Sequence, residues 1–318
     1  MNKNIGIIMD PISDINVEKD TTLALMLKAQ TRGFNLFYLE MNDLFIQNGK
    51  IMAAMRPIEV NKSKTNWYKF KSAHKAEISS VSNLHCILMR KDPPFDINFL
   101  HMTYLLDKAK DEGVLVVNNP GSIRDCNEKL FATWFPDVCP PTIVTKNIKD
   151  LRNFLREHKS IVVKPLDGMG GASIFKVDQS DTNASVIFET LTHLESTFCM
   201  AQQYLKDIKN GDKRILIVNG KPIPYSLARV PSVGENRGNL AAGGSGIVQP
   251  LSDNDIKICE KVGPSLKARE LYFVGIDVIG NFLTEINVTS PTCLVEIEKE
   301  TGIDIANELI NLIAEKTS

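Results

Sequence analysis

Asn219 and Gly220 stand between two short apolar runs, residues 215–218 and 221–225. A two-residue Asn-Gly loop favours the tight turn whose twist matches paired antiparallel strands, so this part of the chain must fold as a hairpin. The first third follows a different pattern. There a strand at 5–9, a helix at 21–31 closed by Gly33 and a strand at 34–39 form one βαβ unit. A second unit has a strand at 86–89, a helix at 97–110 stopped by Gly113 and a strand at 114–117. Residues 47–80 are polar and show no clear period. Asn118, Asn119 and Pro120 break the pattern and a helix starts near Ser122, which sets a boundary close to residue 121. The fold class expected is therefore α/β followed by α+β.

Composition limits the partners. With 318 residues, 43% of them hydrophobic, the chain can bury more than one core. A formal net charge of -1 argues against a surface built to grip nucleic acid or an anionic membrane. The first apolar run is halted by Asp10 and Pro11, too short for a secretory or membrane-spanning segment, and a cytoplasmic protein is expected. Six scattered cysteines with no Cys-x-x-Cys pair indicate neither a zinc site nor a disulfide framework.

Three segments carry chemistry. The strand at 161–164 ends in Lys164 and runs through Pro165 and Leu166 into Asp167, Gly168, Met169, Gly170 and Gly171, and a return strand is expected at 172–177. Glycines let backbone N–H groups approach an anion. The spacing is that of neither a P-loop nor a dinucleotide-binding turn. It reads as a flap over nucleotide phosphates, or equally as an ordinary glycine turn.

The second is a hairpin of two apolar strands, 273–279 and 283–288, interrupted by Asp277, Glu285 and Asn287. A three-residue turn puts Asp277 opposite Glu285 with Asn287 on the same face, whereas a two-residue turn sends Asp277 to the other face. Facing carboxylates need a proton or a cation between them, and an oxygen-only set suits Mg²⁺. The alternative is a solvated face of an edge hairpin, against which the flanking Val, Ile and Phe residues speak.

The third is a glycine-rich stretch from 231 to 250, flanked or occupied by Arg229 and Arg237, with Arg214 opening the hairpin before it. A long unpatterned loop in a compact domain serves as a lid or is disordered. The arginine fork suits carboxylate and phosphoryl oxygens.

Several stretches together resemble the ATP-grasp ligases, and among them the bacterial glutathione synthetases. They are Arg90-Lys91-Asp92-Pro93-Pro94-Phe95-Asp96, Arg124-Asp125-Cys126-Asn127-Glu128-Lys129, the loop from Lys164 to Gly171, Asn236-Arg237-Gly238-Asn239-Leu240, and Thr284-Glu285-Ile286-Asn287-Val288-Thr289-Ser290-Pro291. The resemblance implies an ATP-grasp fold behind a Rossmann-like N-terminal (pre-ATP-grasp) domain, with segments 1–121, 122–201 and 202–318 and a lid at 230–246. It implies ligation of γ-glutamylcysteine to glycine through an acyl phosphate, with ATP as substrate, Mg²⁺ or Mn²⁺ as cofactor, and a homotetramer.

It also implies site residues. Lys129, Lys164, Gly168, Met169, Gly170, Gly171, Gln202, Tyr204, Leu205 and Asp212 would bind ATP. Asp277, Glu285 and Asn287 would bind metal, and Arg214 and Arg237 would act in catalysis. Asp10, Ser13, Arg90, Arg229 and Ser290 would meet the other substrates. Ser245 stands where the relatives carry an arginine.

Overall fold

The computed structural model describes residues 3–71, 76–168, 170–232, 234, 238 and 243–318. In chain order the first segment supplies β1 (Asn4–Ile8), α1 (Thr21–Thr31), β2 (Asn35–Leu39), β3 (Leu44–Gln47), β4 (Lys50–Val60), β5 (Tyr68–Phe70), β6 (Glu77–Ser80), β7 (Cys86–Met89), α2 (Ile97–Asp111), β8 (Leu115–Val117) and α3 (Pro120–Asp125). Then follow β9 (Thr142–Thr145), α4 (Ile148–His158), β10 (Ser160–Pro165), β11 (Phe175–Asp178), α5 (Ala184–Leu191) and β12 (Cys199–Gln203). The last segment holds β13 (Asp212–Val218), β14 (Lys221–Val230), β15 (Ser245–Pro250), α6 (Asp253–Ala268), β16 (Phe273–Ile279), β17 (Phe282–Asn287), α7 (Leu294–Thr301) and α8 (Ile305–Lys316).

The two βαβ units form as their signals direct. Asp20 caps α1 by accepting from the Leu23 amide, and Gly33 at φ 84° turns the chain out of it. β2, β1, β7 and β8 lie parallel in that order. The stretch that the sequence left unassigned holds β4, eleven residues long, which pairs antiparallel with β2, β3, β5 and β6.

A second sheet, ordered β11-β10-β12-β9, is antiparallel and buries Ile161 and Val163 under Leu151, Phe154 and Phe188 of α4 and α5. The return strand starts at Phe175, three residues later than expected. Gly170, Gly171 and Ser173 have positive φ, which takes that stretch out of extended geometry.

The third sheet runs β15-β14-β13-β16-β17. Asn219 (φ 50°) and Gly220 (φ 79°) make the β13–β14 turn, both left-handed as the tight hairpin requires. One face packs under Ile258, Val262 and Leu266 of α6. Leu216, Val218 and Leu227 join a continuous core with β1, α1, α7 and α8, so the C-terminal helices finish the core that the N-terminal strands begin.

Candidate active site

The second and third sheets face each other across a cavity of about 400 Å³. Its wall on one side is built by Val162 and Lys164 of β10 and by Gln202, Gln203, Tyr204 and Leu205 at and after the end of β12. The other wall carries Asp212, Arg214, Arg229, Asp277, Glu285 and Asn287. Gly168, Gly170 and Gly171 of the glycine loop, Lys129 and Ser290 also line it.

The acidic hairpin resolves the question of its turn in an unforeseen way. Ile279 pairs with Phe282 across a two-residue turn, yet Asp277 still lies opposite Glu285. Thr284 is the extra residue of a bulge, and its hydroxyl donates to the Asp277 carbonyl at 3.1 Å. The bulge restores the face that the short turn would have lost, and Asn287, opposite Gly275, shares it.

Cations meet each carboxylate. Arg214 donates from Nε to Asp277 Oδ1 at 2.5 Å and from Nη2 to Oδ2 at 2.9 Å, and Arg229 reaches the same Oδ2 at 3.0 Å. Asn287 Nδ2 adds a contact to Oδ2 at 3.2 Å. Burial pushes the Asp277 carboxyl upward, but the two guanidiniums outweigh it and hold it below the usual range. Glu285 is likewise pushed up by burial and brought down on balance by Lys164 and Lys129, with Lys164 Nζ at 3.2 Å.

Asp212 is the exception. Its Oδ2 accepts from Arg229, whereas its buried Oδ1 has no hydrogen-bond partner, and burial raises its pKa to about 6.

Among the described residues there is no cluster of three or more His, Cys, Asp or Glu side chains arranged to hold a metal. The donor set of Asp277, Glu285 and Asn287 nevertheless fits a hard divalent cation. Its two carboxylates are opposed on one buried face, the Asn287 amide is beside them, and Asp212 Oδ1 is unpartnered nearby in the same wall.

Met169 and Arg237 lie outside the described residues, as do residues 233, 235, 236 and 239–242 of the expected lid. Asp10, Ser13 and Arg90 do not line the cavity, because other groups claim them. Asp10 pairs with Lys91 at 2.6 Å and accepts from the Asp92 amide, while Ser13 donates to Asp14. Arg90 is buried and ties Thr22 Oγ1, at 3.1 Å, to the Pro291 carbonyl, at 2.9 Å, while its Nη1 has no partner. Burial lowers its pKa to about 10.

Glu128 and Cys293 are among the lining residues to which no site role was assigned from the sequence. Glu128 sits beside Lys129 with its carboxylate 2.6 Å from Nζ, and the signal was present in Asn127-Glu128-Lys129. Cys293, left-handed at φ 79° and buried, lines the wall near Arg214 and Arg229, and no local pattern marks it.

Residues 4–124 match the family described as prokaryotic glutathione synthetase, N-terminal domain, and residues 128–302 match prokaryotic glutathione synthetase, ATP-grasp domain. The glutathione synthetases of Salmonella typhi and of Vibrio parahaemolyticus serotype O3:K6 are 54% and 53% identical to the chain, each match covering 97% of both chains. That of Escherichia coli O6:H1 is 52% identical over the same shares.

Among solved structures, the ATP-grasp ligase PsnB complexed with minimal precursor, Mg and ADP superposes with a TM-score of 0.64 at 14% identity, over 98% of both chains. D-cycloserine synthetase DcsG superposes with a TM-score of 0.67 at 11% identity, over 99% of this chain and 100% of that one. At such identities the likeness is one of fold, and the fold is ATP-grasp. The two family matches and the relatives at 52–54% identity over 97% of the chain agree: the chain belongs to the prokaryotic glutathione synthetases, ATP-dependent carboxylate–amine ligases.

Proposed function

We propose that this chain joins the cysteinyl carboxylate of γ-glutamylcysteine to the amine of glycine at the expense of ATP, giving glutathione, ADP and phosphate. The observation that carries the reading is the convergence of Lys129, Lys164, Arg214 and Arg229 with Asp277 and Glu285 in one cavity between two sheets. Such a cavity neutralises a polyphosphate and positions two reactants, which is most of what phosphoryl transfer asks of a protein.

In this reading the adenine lies against Val162, Gln202, Tyr204 and Leu205, with Asp212 toward the ribose. Lys129, Lys164 and the backbone of Gly168, Gly170 and Gly171 meet the phosphates. Asp277, Glu285 and Asn287 would hold magnesium, for which manganese substitutes, and the bound cation would neutralise phosphate charge. A carboxylate oxygen of the dipeptide bonds to the γ-phosphorus as the bond to ADP breaks, with Arg214 beside the moving charge. The glycine nitrogen then bonds to the acyl carbon, phosphate leaves and the amine gives up a proton. Arg229 and Ser290 face the acceptor side, with Arg90, Asp10 and Ser13 behind that wall. The glycine-rich segment with Arg237 closes over the intermediate, which water would otherwise hydrolyse.

No helix among the described residues is long and apolar enough to cross a membrane. The family reading adds a cytoplasmic homotetramer acting on small molecules, with neither nucleic acid nor membrane as partner. The test is ADP release from Mg²⁺, ATP and γ-glutamylcysteine with and without glycine, with the product read by mass. Glycine-dependent ADP with glutathione formed is expected; ADP that depends on a different amine would overturn the acceptor, and no ADP with any acceptor would overturn the reading.

A further inference from the structure

Three consecutive residues touch both anion-handling devices at once. The Glu128 carbonyl accepts from the Ile286 amide at 2.8 Å, between Glu285 and Asn287 on β17. On the other side Asn127 Nδ2 donates to the Leu166 carbonyl at 3.0 Å, and Lys129 Nζ donates to the Gly168 carbonyl at 2.5 Å. The segment thus spans from the acidic hairpin to the start of the glycine loop.

Lys129 is 2% exposed, and Glu128 Oε1 lies 2.6 Å from its Nζ. An ammonium carries three donors on a flexible stem, so the direction of Nζ is set by whatever accepts from it. Glu128 and Gly168 O fix it from two sides. Glu128 itself is held by its backbone bond to β17, and its carboxylate faces Glu285 and Asp277, whose repulsion favours turning it toward Lys129.

We propose that Glu128 is a positioning residue that acts through Lys129: it aims the ammonium at the Gly168 carbonyl and thereby holds the base of the glycine loop over the cavity, registered to the acidic hairpin. The consequence for turnover rests on the function proposed above, but the positioning itself can be read without any substrate. The competing account is an ion pair that neutralises a buried lysine and does nothing to the loop.

The test compares the full-length chain with Glu128→Gln, Lys129→Met and the double variant, by hydrogen exchange in nucleotide-free protein. Glu128→Gln keeps the shape and removes the charge. Exchange in peptides covering 165–168 is expected to rise about tenfold in each single variant, and no further in the double, since coupled residues are non-additive. Peptides from β13 should not change. Glu128→Asp, which keeps the charge on a shorter arm, should give an intermediate rise, and kcat should follow the same non-additive pattern. Unchanged exchange at 165–168 in Glu128→Gln, or single-variant effects that multiply in the double, would overturn the proposal. If kcat cannot be measured because the ligase reading is wrong, the exchange pattern still decides it.

Discussion

Arg214 and Asp277 are direct cross-strand neighbours on β13 and β16, joined by two side-chain bonds of 2.5 and 2.9 Å in a site where both are nearly inaccessible to water. Buried charges of this kind are costly to desolvate and costlier to leave unpaired. Arg229 shares the same carboxylate while also holding Asp212, so two guanidiniums balance two carboxylates.

Removing one partner should therefore weaken both fold and chemistry. Arg214→Met leaves Asp277 with Arg229 alone, and a loss of about 3 kcal/mol is expected on the scale of broken buried pairs. Loss of a preorganised cation beside the transferring group should lower kcat by about 10²–10³. Arg214→Lys cannot reproduce the two-point grip and should fall between the two. Denaturant midpoints with steady-state ADP release check both, and wild-type kcat in Arg214→Met would remove Arg214 from the mechanism.

Asp212 predicts a pH effect of opposite sign to that of Asp277, whose carboxyl the two guanidiniums hold low. Burial first, then Asp277 and Glu285, raise its pKa from 3.8 to about 6 against the pull of Arg229. The folded state therefore binds this proton more tightly than the unfolded state. Its contribution is fully present below pH 3.8 and is lost as pH rises to about 6. Asp212→Asn does not titrate, so the stability of wild type minus that of Asp212→Asn should fall between pH 4 and 6. A difference that rises over the same window would contradict the raised pKa.

Much of this architecture was legible because local signals carried it. Asp20 and Gly33 bracket α1 at its observed ends, and Asn219-Gly220 fixed the β13–β14 turn. β4 was missed because Arg56 and Pro57 interrupt its alternation, and a strand proline reads as a break even where, as here, it pairs with Phe37. The Thr284 bulge has no residue signature, yet it decides which face Asp277 takes. The Arg214–Asp277 grip and the Glu128–Ile286 bond link residues 63 and 158 positions apart, and no periodicity spans such distances. Arg90 and Asp10 belong to motifs of the site but do not line its cavity, and their side chains are bonded to Thr22, Pro291, Lys91 and Asp92.

Gly275 should matter through the space that it leaves. A Cβ there would lie 2.8 Å from Arg214 Cδ and 3.1 Å from Pro291 Cβ. The arginine stem is the part able to move, so Gly275→Ala should displace the guanidinium from Asp277. An overpacking cost of about 1–3 kcal/mol is expected. A kcat loss of about tenfold should accompany it, since a misplaced catalytic group is penalised steeply. Gly33→Ala is the control for destabilisation alone: its backbone is strained, at φ 84°, but its Cβ meets nothing within 4 Å, so kcat should be untouched. Equal effects of the two on kcat would show that general destabilisation, and not the Arg214 contact, is responsible.

Asn118 ties the N-terminal sheet to the open end of the acidic hairpin. Its Nδ2 donates to the Phe273 carbonyl at 2.8 Å and the Val288 carbonyl at 2.7 Å, and its Oδ1 accepts from the Phe273 amide at 2.9 Å. Each buried group left unsatisfied costs about 1–3 kcal/mol, so Asn118→Ala should destabilise by about 3 kcal/mol or more. Asn118→Asp separates the role of the donors from that of shape. Its carboxylate still accepts from Phe273 N but turns an oxygen toward two carbonyls, so at neutral pH it should be less stable than Asn118→Ala. Protonation restores one donor, so the folded state should bind a proton more tightly than the unfolded chain, with its carboxyl near 3.9. The stability of Asn118→Asp should therefore rise as pH falls from 7 toward 5, relative to that of Asn118→Ala measured alongside it. A flat difference between the two variants across that range would mean that the two carbonyls find water instead, and that Asn118 holds the hairpin by packing alone.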